Sequence, residues 1–429
     1  MTAYKDMTRE ELLREKTALE AEYNKRKALG LKLDMSRGKP NTEQLDLSNG
    51  MLDVLKPEDG FVSECGMDCR NYGVMTGIPE ARKLMGDLLG VSADNVIIFG
   101  SASLTIMYDM VSHAMVKGVC GNTPWLLQDK VKWLCPAPGY DRHFKITEFF
   151  GIEMITVPMT PDGPDMDMIE DYVNYDPAVK GIWCVPKYSN PQGYSYSDET
   201  VRRLADLTPA ADDFRIFWDN AYAIHHLYDE PDRQDQVLEI LSECAAAGHP
   251  DLVYEFASTS KVTYPGAGIS AFVSSERNLA DIKEAMTRQT ISHDKMNQLR
   301  HVRFFGNAEN VHAHMSRHAA LMRPKFEAVL RTLDESLGGL EIGTWTRPNG
   351  GYFISFDSLP GCARAIVAKA AEAGVVMTGA GATYPYGNDP ADSNIRIAPS
   401  FPSAEELTQA TELFVLCVKL VSAGKLLGE

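Results

Sequence analysis

The sequence predicts an α/β fold: a large domain on a mostly parallel sheet with helices on both faces, followed by a smaller α+β domain. Three observations carry that expectation. Between about residues 75 and 260, apolar runs of strand length alternate with helical patterns. Those runs are apolar at nearly every position, as strands covered on both faces require. After about residue 305 the rhythm changes to one long helical stretch, several short strands and a final helix. With 429 residues and 44% hydrophobic content, the chain can bury more than one core.

In chain order, residues 8–29 read as one helix. Thr8 and Glu11 form a capping-box pattern and Gly30 stops it. "DMSRGKP" then opens a loop-rich stretch up to about residue 75. "GIPEARKLMGDLLG" reads as a helix, and "NVIIFG" as a buried strand running into the helix "SASLTIMYDMVSHAMVKG". "KWLCPAP", "GIEMITVPM", "GIWCVP", "FRIFWDN" and "DLVYEFAS" are further strands, with "DETVRRLADLTPA" and "DQVLEILSECAAAG" as helices among them. Residues 307–338 read as one long helix, followed by strands in "GGYFISF", "GVVMTGAG" and "NIRIAPS", and a capped helix "SAEELTQATELFVLCVKLVSAG". The expected divisions are 1–50, a helix and segment packing on the small domain; 51–305, the large domain; and 306–429, the small domain.

Charge and composition exclude several classes. A net charge of −17 argues against nucleic acid and anionic membranes as partners. The N-terminus is charged throughout and unlike a secretory signal, and no stretch approaches a membrane span. Eight scattered cysteines lack the repeated short spacing of a metal site, so no metal is expected. The expected location is cytoplasmic, with reduced thiols.

Ligands of an open α/β sheet bind outside the carboxyl ends of its strands. The polar residues at those ends are Ser101 and Ser103, Tyr140, Asn190, Asp219 and Tyr222, and Ser258 and Lys261. Singly, each has a plain explanation: a helix cap for Asp219, a turn for "SNPQG", a core ring for Tyr140. Together they supply what pyridoxal 5′-phosphate (PLP) needs. A lysine holds it as a Schiff base, a carboxylate pairs with its pyridinium nitrogen, and hydroxyls at a helix N-terminus suit its phosphate.

The segments "NYGVMTGIPEARK", "GSASL", "PAPGYDRH", "SNPQG", "DNAY", "STSK" and "NIRIAPS" occur in the order found in fold-type-I PLP aminotransferases. The chain resembles the aspartate aminotransferase family over nearly its whole length. With "DMSRGKP", "HDKMNQLRH" and "RPNGGYF", it is similar to a bacterial subgroup related to the enzyme-like domain of MocR regulators. The resemblance implies a seven-stranded large-domain sheet and the cofactor PLP. It makes Lys261 the covalent anchor and the base that moves the Cα proton, and pairs Asp219 with the ring nitrogen. It places Tyr222 and Asn190 on the ring's phenolic oxygen, with Tyr140 stacked on the ring. Ser101, Ala102, Ser103 and Ser258 would surround the phosphate. Tyr72 would reach the neighbouring subunit's phosphate, making a homodimer with shared active sites. Arg396 would grip the substrate α-carboxylate as a bidentate fork.

Two departures stand out. Many aminotransferases carry a phosphate-pairing arginine seven or eight residues after the lysine, and "KVTYPGAGIS" has none. The arginine for a distal carboxylate is not evident either: Arg37 and Arg288 are candidates, with Lys39, Arg142 and Lys295 as rivals. The implied reaction is transamination from L-aspartate to 2-oxoglutarate by a ping-pong route, with small amino and 2-oxo acids as partners. The alternatives are an aminotransferase for 2-aminoadipate, alanine or an aromatic amino acid, a PLP lyase or decarboxylase, and a ligand-sensing regulator. About 35 residues precede "DMSRGKP", too few for a winged helix and linker, and the chain is acidic, so the regulator is disfavoured.

Overall fold

The computed structural model describes residues 2–429, which form three sheets flanked by helices. A two-residue strand, β1 (Leu33–Asp34), precedes the central sheet. That sheet comprises β2 (Val96–Phe99), β3 (Lys132–Ala137), β4 (Glu153–Thr160), β5 (Gly163–Pro164), β6 (Val179–Cys184), β7 (Arg215–Asp219), β8 (Val253–Ser258) and β9 (Ser270–Ser274). In space they run β2-β9-β8-β7-β6-β3-β4-β5. Strands β4, β3, β6, β7 and β8 pair in parallel, whereas β9 is antiparallel to both β8 and β2.

The expected seven strands are joined by an eighth, β5, a two-residue antiparallel return beside the end of β4. Its Gly163 has φ +130°, and a Cβ there would lie 2.7 Å from Thr200 Cγ2, so the turn requires glycine. Strand β9 was not among the apolar runs read from the sequence. Its ends are Ser270 and Ser274, fully buried, yet each hydroxyl donates to a backbone carbonyl, of Gly100 and Val253 respectively.

Side-chain alternation builds the core on both faces of this sheet. Trp133, Trp183, Phe217 and Tyr254 face one side, packing on the helix Ser103–Lys117 through Met107, Met110 and Val111. Their neighbours Leu134, Ile182, Ile216 and Val253 face the other, against Val201 and Leu204 of the helix Asp198–Ala205. Each such side chain contributes about 1.5–3 kcal/mol by leaving water. The sheet is therefore a rigid platform, and the turns at its carboxyl edge inherit that rigidity.

The rest of the chain surrounds a separate core. Strands β10 (Gly343–Trp345), β11 (Ile354–Ser358) and β13 (Asn394–Ile397) form an antiparallel sheet, and β12 (Val375–Val376) pairs in parallel with β1. The helices Arg9–Ala28, Ala308–Leu337 and Ala404–Leu427 bury Leu12, Phe326 and Phe414 with Phe356 of β11. The capping boxes at Thr8–Glu11 and Ser403–Glu406 are both formed. One helix begins later than its pattern predicts. "DQVLEILSECAAAG" is helical only over Ile240–Ala246, capped by the Glu239 carboxylate on Leu241 N and Ser242 N, while the Asp235 carboxylate accepts from Ser195 and Asn349.

Candidate active site

The turns after β2, β3, β6, β7 and β8 converge on a cavity of about 240 Å³. Lys261 lies on its wall, three residues beyond β8. Its turn is tied down on several sides: Thr259 N–H donates to Ile269 O, Ser260 Oγ to Ser101 O, and Asn297 Nδ2 to the carbonyls of Ala267 and Gly268. Lys261 Nζ sits 4.9 Å from the centroid of the Tyr222 ring. Burial lowers the Lys261 pKa, and the charge of Asp219 partly opposes that shift.

Asp219 closes β7, with no helix following it, so it is not a cap. It is 3% exposed. His143 Nε2 lies 2.9 Å from its Oδ2, and the imidazole is stacked on Trp183 at 4.5 Å and 13°. The other oxygen, Oδ1, is buried with no hydrogen-bond partner. A buried carboxylate oxygen without a donor is costly, and this residue lines the cavity.

Tyr140 and Tyr222 both line the cavity, and burial raises both phenols, Tyr140 to about 12 and Tyr222 well above its ordinary value. Both phenols therefore keep their protons at neutral pH. Ala102, Ser103 and Ser258 are also at the wall, whereas Ser101 stands behind it and offers its carbonyl to Ser260. Ala102 begins the 15-residue helix Ser103–Lys117 and makes no side-chain cap bond, so the first N–H groups of that helix have no cap.

Arg396, on β13, reaches the same place from the other core. Its Nη1 donates to Asp141 Oδ1 at 3.0 Å and Asn190 Oδ1 at 3.1 Å, and its Nη2 to Thr378 Oγ1 at 3.1 Å. The guanidinium carbon is 4.8 Å from the centroid of the Phe353 ring, which also lines the cavity. Gly38 lets the chain pass close to that ring, since a Cβ there would lie 2.3 Å from Phe353 Cζ.

Three predicted residues lie elsewhere within the chain. Tyr72 is 73% exposed on a surface loop. Arg288 lies in the last turn of the helix Glu276–Gln289, exposed and paired with Glu284. Arg37 is exposed beside Gly38. Of the rivals, Lys39 lies over the Phe401 ring, Arg142 is exposed, and buried Lys295 donates to Ser292 Oγ. The sequence reading missed His143, Asp141, Phe353, Thr378 and Ser260. His143 and Asp141 had a signal in the first turn of the helix that Tyr140 opens, Ser260 in "STSK" and Phe353 in "RPNGGYF".

The absent arginine has a structural counterpart. Position 268, seven residues after Lys261, is a buried glycine whose Cβ would lie 2.9 Å from Thr259 Oγ1 and 3.3 Å from Ser101 O. Ile269 beside it is core. A side chain at 268 must displace Thr259, which bonds Ile269 N and approaches His301 Nε2 at 3.2 Å. Gly268→Arg is therefore expected to destabilise the chain by about 1–3 kcal/mol, read as a lower urea midpoint. An unchanged midpoint would mean that the loop has slack.

A lysine with a lowered pKa, a deep carboxylate with one oxygen awaiting a donor, an uncapped helix N-terminus with hydroxyls beside it and a broad aromatic wall fit PLP. On this fold they define a PLP-dependent aminotransferase of fold type I. Residues 7–429 match the family described as aspartate amino-transferase, and the chain belongs to that family. It is 45% identical over 406 residues to an aspartate aminotransferase of Corynebacterium glutamicum, covering 94% of this chain and 93% of that one. It superposes on the crystal structure of an aspartate transaminase from C. glutamicum with a TM-score of 0.96 at 43% identity, over 99% of each chain. The α-aminoadipate aminotransferase of Thermus thermophilus shares the fold at a TM-score of 0.73 and 19% identity, over 91% of this chain and 92% of that one.

Proposed function

We propose that the enzyme transfers the amino group of L-aspartate to 2-oxoglutarate by a ping-pong route, and that Lys261, Asp219, Tyr222, Asn190 and Arg396 carry the reaction. The observation that supports this most is that Arg396, from the small antiparallel sheet, bonds Asn190 and lies against Phe353, both on the wall of the cavity that Lys261 lines from the central sheet. When bound, PLP supplies an electron sink for the pair left by the breaking Cα–H bond.

The side chains supply position and proton transfer. Arg396 holds the substrate α-carboxylate, which fixes Cα in front of Lys261. The Lys261 amine, whose pKa burial lowers, would take the Cα proton and deliver it to the cofactor's C4′ carbon. Asp219 would pair with the ring N–H through its unpartnered Oδ1, with His143 holding Oδ2. Asn190 accepts from Arg396 through its Oδ1, so its Nδ2 would be free to donate to the ring's phenolic oxygen alongside the protonated Tyr222 hydroxyl. Ala102, Ser103 and Ser258 hold the phosphate with backbone N–H and hydroxyl donors, and Ser101 supports them. Tyr140 covers the ring face.

The same reading makes the enzyme a cytoplasmic homodimer, with exposed Tyr72 completing its neighbour's site, and keeps residues 51–305 and 306–429 as its two domains. Arg37 is the better placed of the two distal-carboxylate candidates, since it adjoins cavity-lining Gly38, whereas Arg288 is engaged by Glu284. A panel of amino donors tested with 2-oxoglutarate checks the assignment. Aspartate is expected to lead, with 2-aminoadipate, alanine and aromatic donors well behind. Poor turnover of both aspartate and glutamate would remove the substrate assignment while leaving transamination.

A further inference from the structure

We infer that Asp141 sets the carboxylate affinity of this site: it is a built-in counter-ion that occupies the carboxylate-binding edge of Arg396 and must be displaced by the substrate. The inference rests on the reading of Arg396 as the α-carboxylate site. Asp141 is the first residue of the helix Asp141–Phe149, directly after cavity-lining Tyr140. Its Oδ1 lies 3.0 Å from Arg396 Nη1. The arginine side chain is 8% exposed and the aspartate 29%, so the acid is the more solvent-accessible partner of a nearly buried cation.

The donors of Arg396 show why the two carboxylates compete. A guanidinium offers five N–H groups in one plane. Both Nη1 protons are spent, on Asp141 and Asn190, and one Nη2 proton is spent on Thr378. Nε has no partner, but it is shut off from solvent and Phe353 lies against the guanidinium, so no carboxylate reaches that edge from the cavity. With Nε shut off, the Nη1–Nη2 fork is the edge left for a carboxylate. Bidentate binding of a carboxylate there needs the Nη1 proton that Asp141 holds. Asn190 and Thr378 are neutral and positioned to keep the plane fixed while the anion changes. Asp141 is the only carboxylate within 4 Å of Arg396 among the described residues.

Two consequences follow. With no substrate present, the nearly buried Arg396 is never left without an anion, which would be costly. When substrate arrives, its carboxylate gains only the difference between its own interaction and that of Asp141. Part of the uniform binding energy is thereby cancelled, which holds KM up without touching the transition state alone. The more exposed Asp141 has solvent to turn into once it is displaced.

The test is Asp141→Asn in the PLP-loaded enzyme, with Asp141→Ala as a second variant lacking any acceptor. Dissociation constants are measured for acetate and maleate, which bind as carboxylates without reacting, through the cofactor's absorbance, together with KM for aspartate and 2-oxoglutarate. Both variants are expected to bind all four acids more tightly, by about tenfold, as removal of one competing charge-assisted bond predicts. Weaker or unchanged binding of the acids in both variants would overturn the proposal, because a residue that merely orients Arg396 loses affinity when removed. Wild-type enzyme and Arg396→Lys separate this outcome from failure of the underlying reading. If acetate and maleate bind wild type no better than Arg396→Lys, it is Arg396 as the carboxylate site that fails.

Discussion

Lys261→Ala is expected to abolish turnover, with a loss of at least about 10⁴-fold, the upper range for a positioned general base, to which the loss of the covalent anchor adds. The site leaves no substitute. Lys261 is the one lysine at the cavity wall, and Arg396, the other cation of the site, is bound on both Nη atoms. The Lys261 turn is braced by Thr259, Ser260 and Asn297 through bonds that do not involve the lysine side chain, so truncation should leave the turn in place. Two measurements separate chemistry from folding. Borohydride treatment followed by denaturation should fix cofactor to the wild-type chain and leave the variant chain unlabelled. Far-ultraviolet circular dichroism should be unchanged. A variant that kept turnover within about tenfold of wild type would be incompatible with Lys261 as the base.

Much of the fold and the candidate site was legible because neighbouring residues in sequence stay neighbours at a strand end. "STSK" is a strand terminus, two hydroxyls and a lysine in one turn, and "FRIFWDN" delivers Asp219 at the last position of β7. What could not be read depends on distance along the chain. Arg396 meets Asp141, Asn190 and Thr378 across separations of 255, 206 and 18 residues. Nothing in "NIRIAPS" names those partners. Phe353 closes "RPNGGYF", but its place against Gly38 of "DMSRGKP" and against Arg396 was not legible, for the same reason. Strand β9 was hidden by its terminal serines, whose hydroxyls donate to carbonyls distant in sequence, Gly100 just after β2 and Val253 of β8. The missing arginine was legible as an absence. Its cause was not, since the tightness at Gly268 comes from Thr259 and Ser101, and Ser101 lies on a different strand end.

Asp219→Asn is the second large effect, an expected fall in kcat/KM of about 10²–10³-fold, the range for removing one buried electrostatic contact aimed at the reacting system. The amide is nearly isosteric, and one of its atoms can still face His143, so packing against Trp183 should survive. What is lost is the negative charge beside the ring nitrogen, and with it the reason for that nitrogen to stay protonated. A second consequence has a fixed sign. The charge of Asp219 raises the Lys261 pKa while burial lowers it, with burial the larger cause. Neutralising Asp219 leaves burial unopposed, so the lysine in the apoenzyme should lose its proton at a still lower pH. Cofactor uptake needs the neutral amine, so its rate should rise with pH and then level off, and in Asp219→Asn that rise should move to lower pH. His143→Phe offers the contrast: it removes the Oδ2 contact but keeps the Asp219 charge. Uptake by that variant should retain a rise near the wild-type position while turnover falls. A rise that moved equally in both variants would show that Asp219 acts on Lys261 through local packing rather than through its charge.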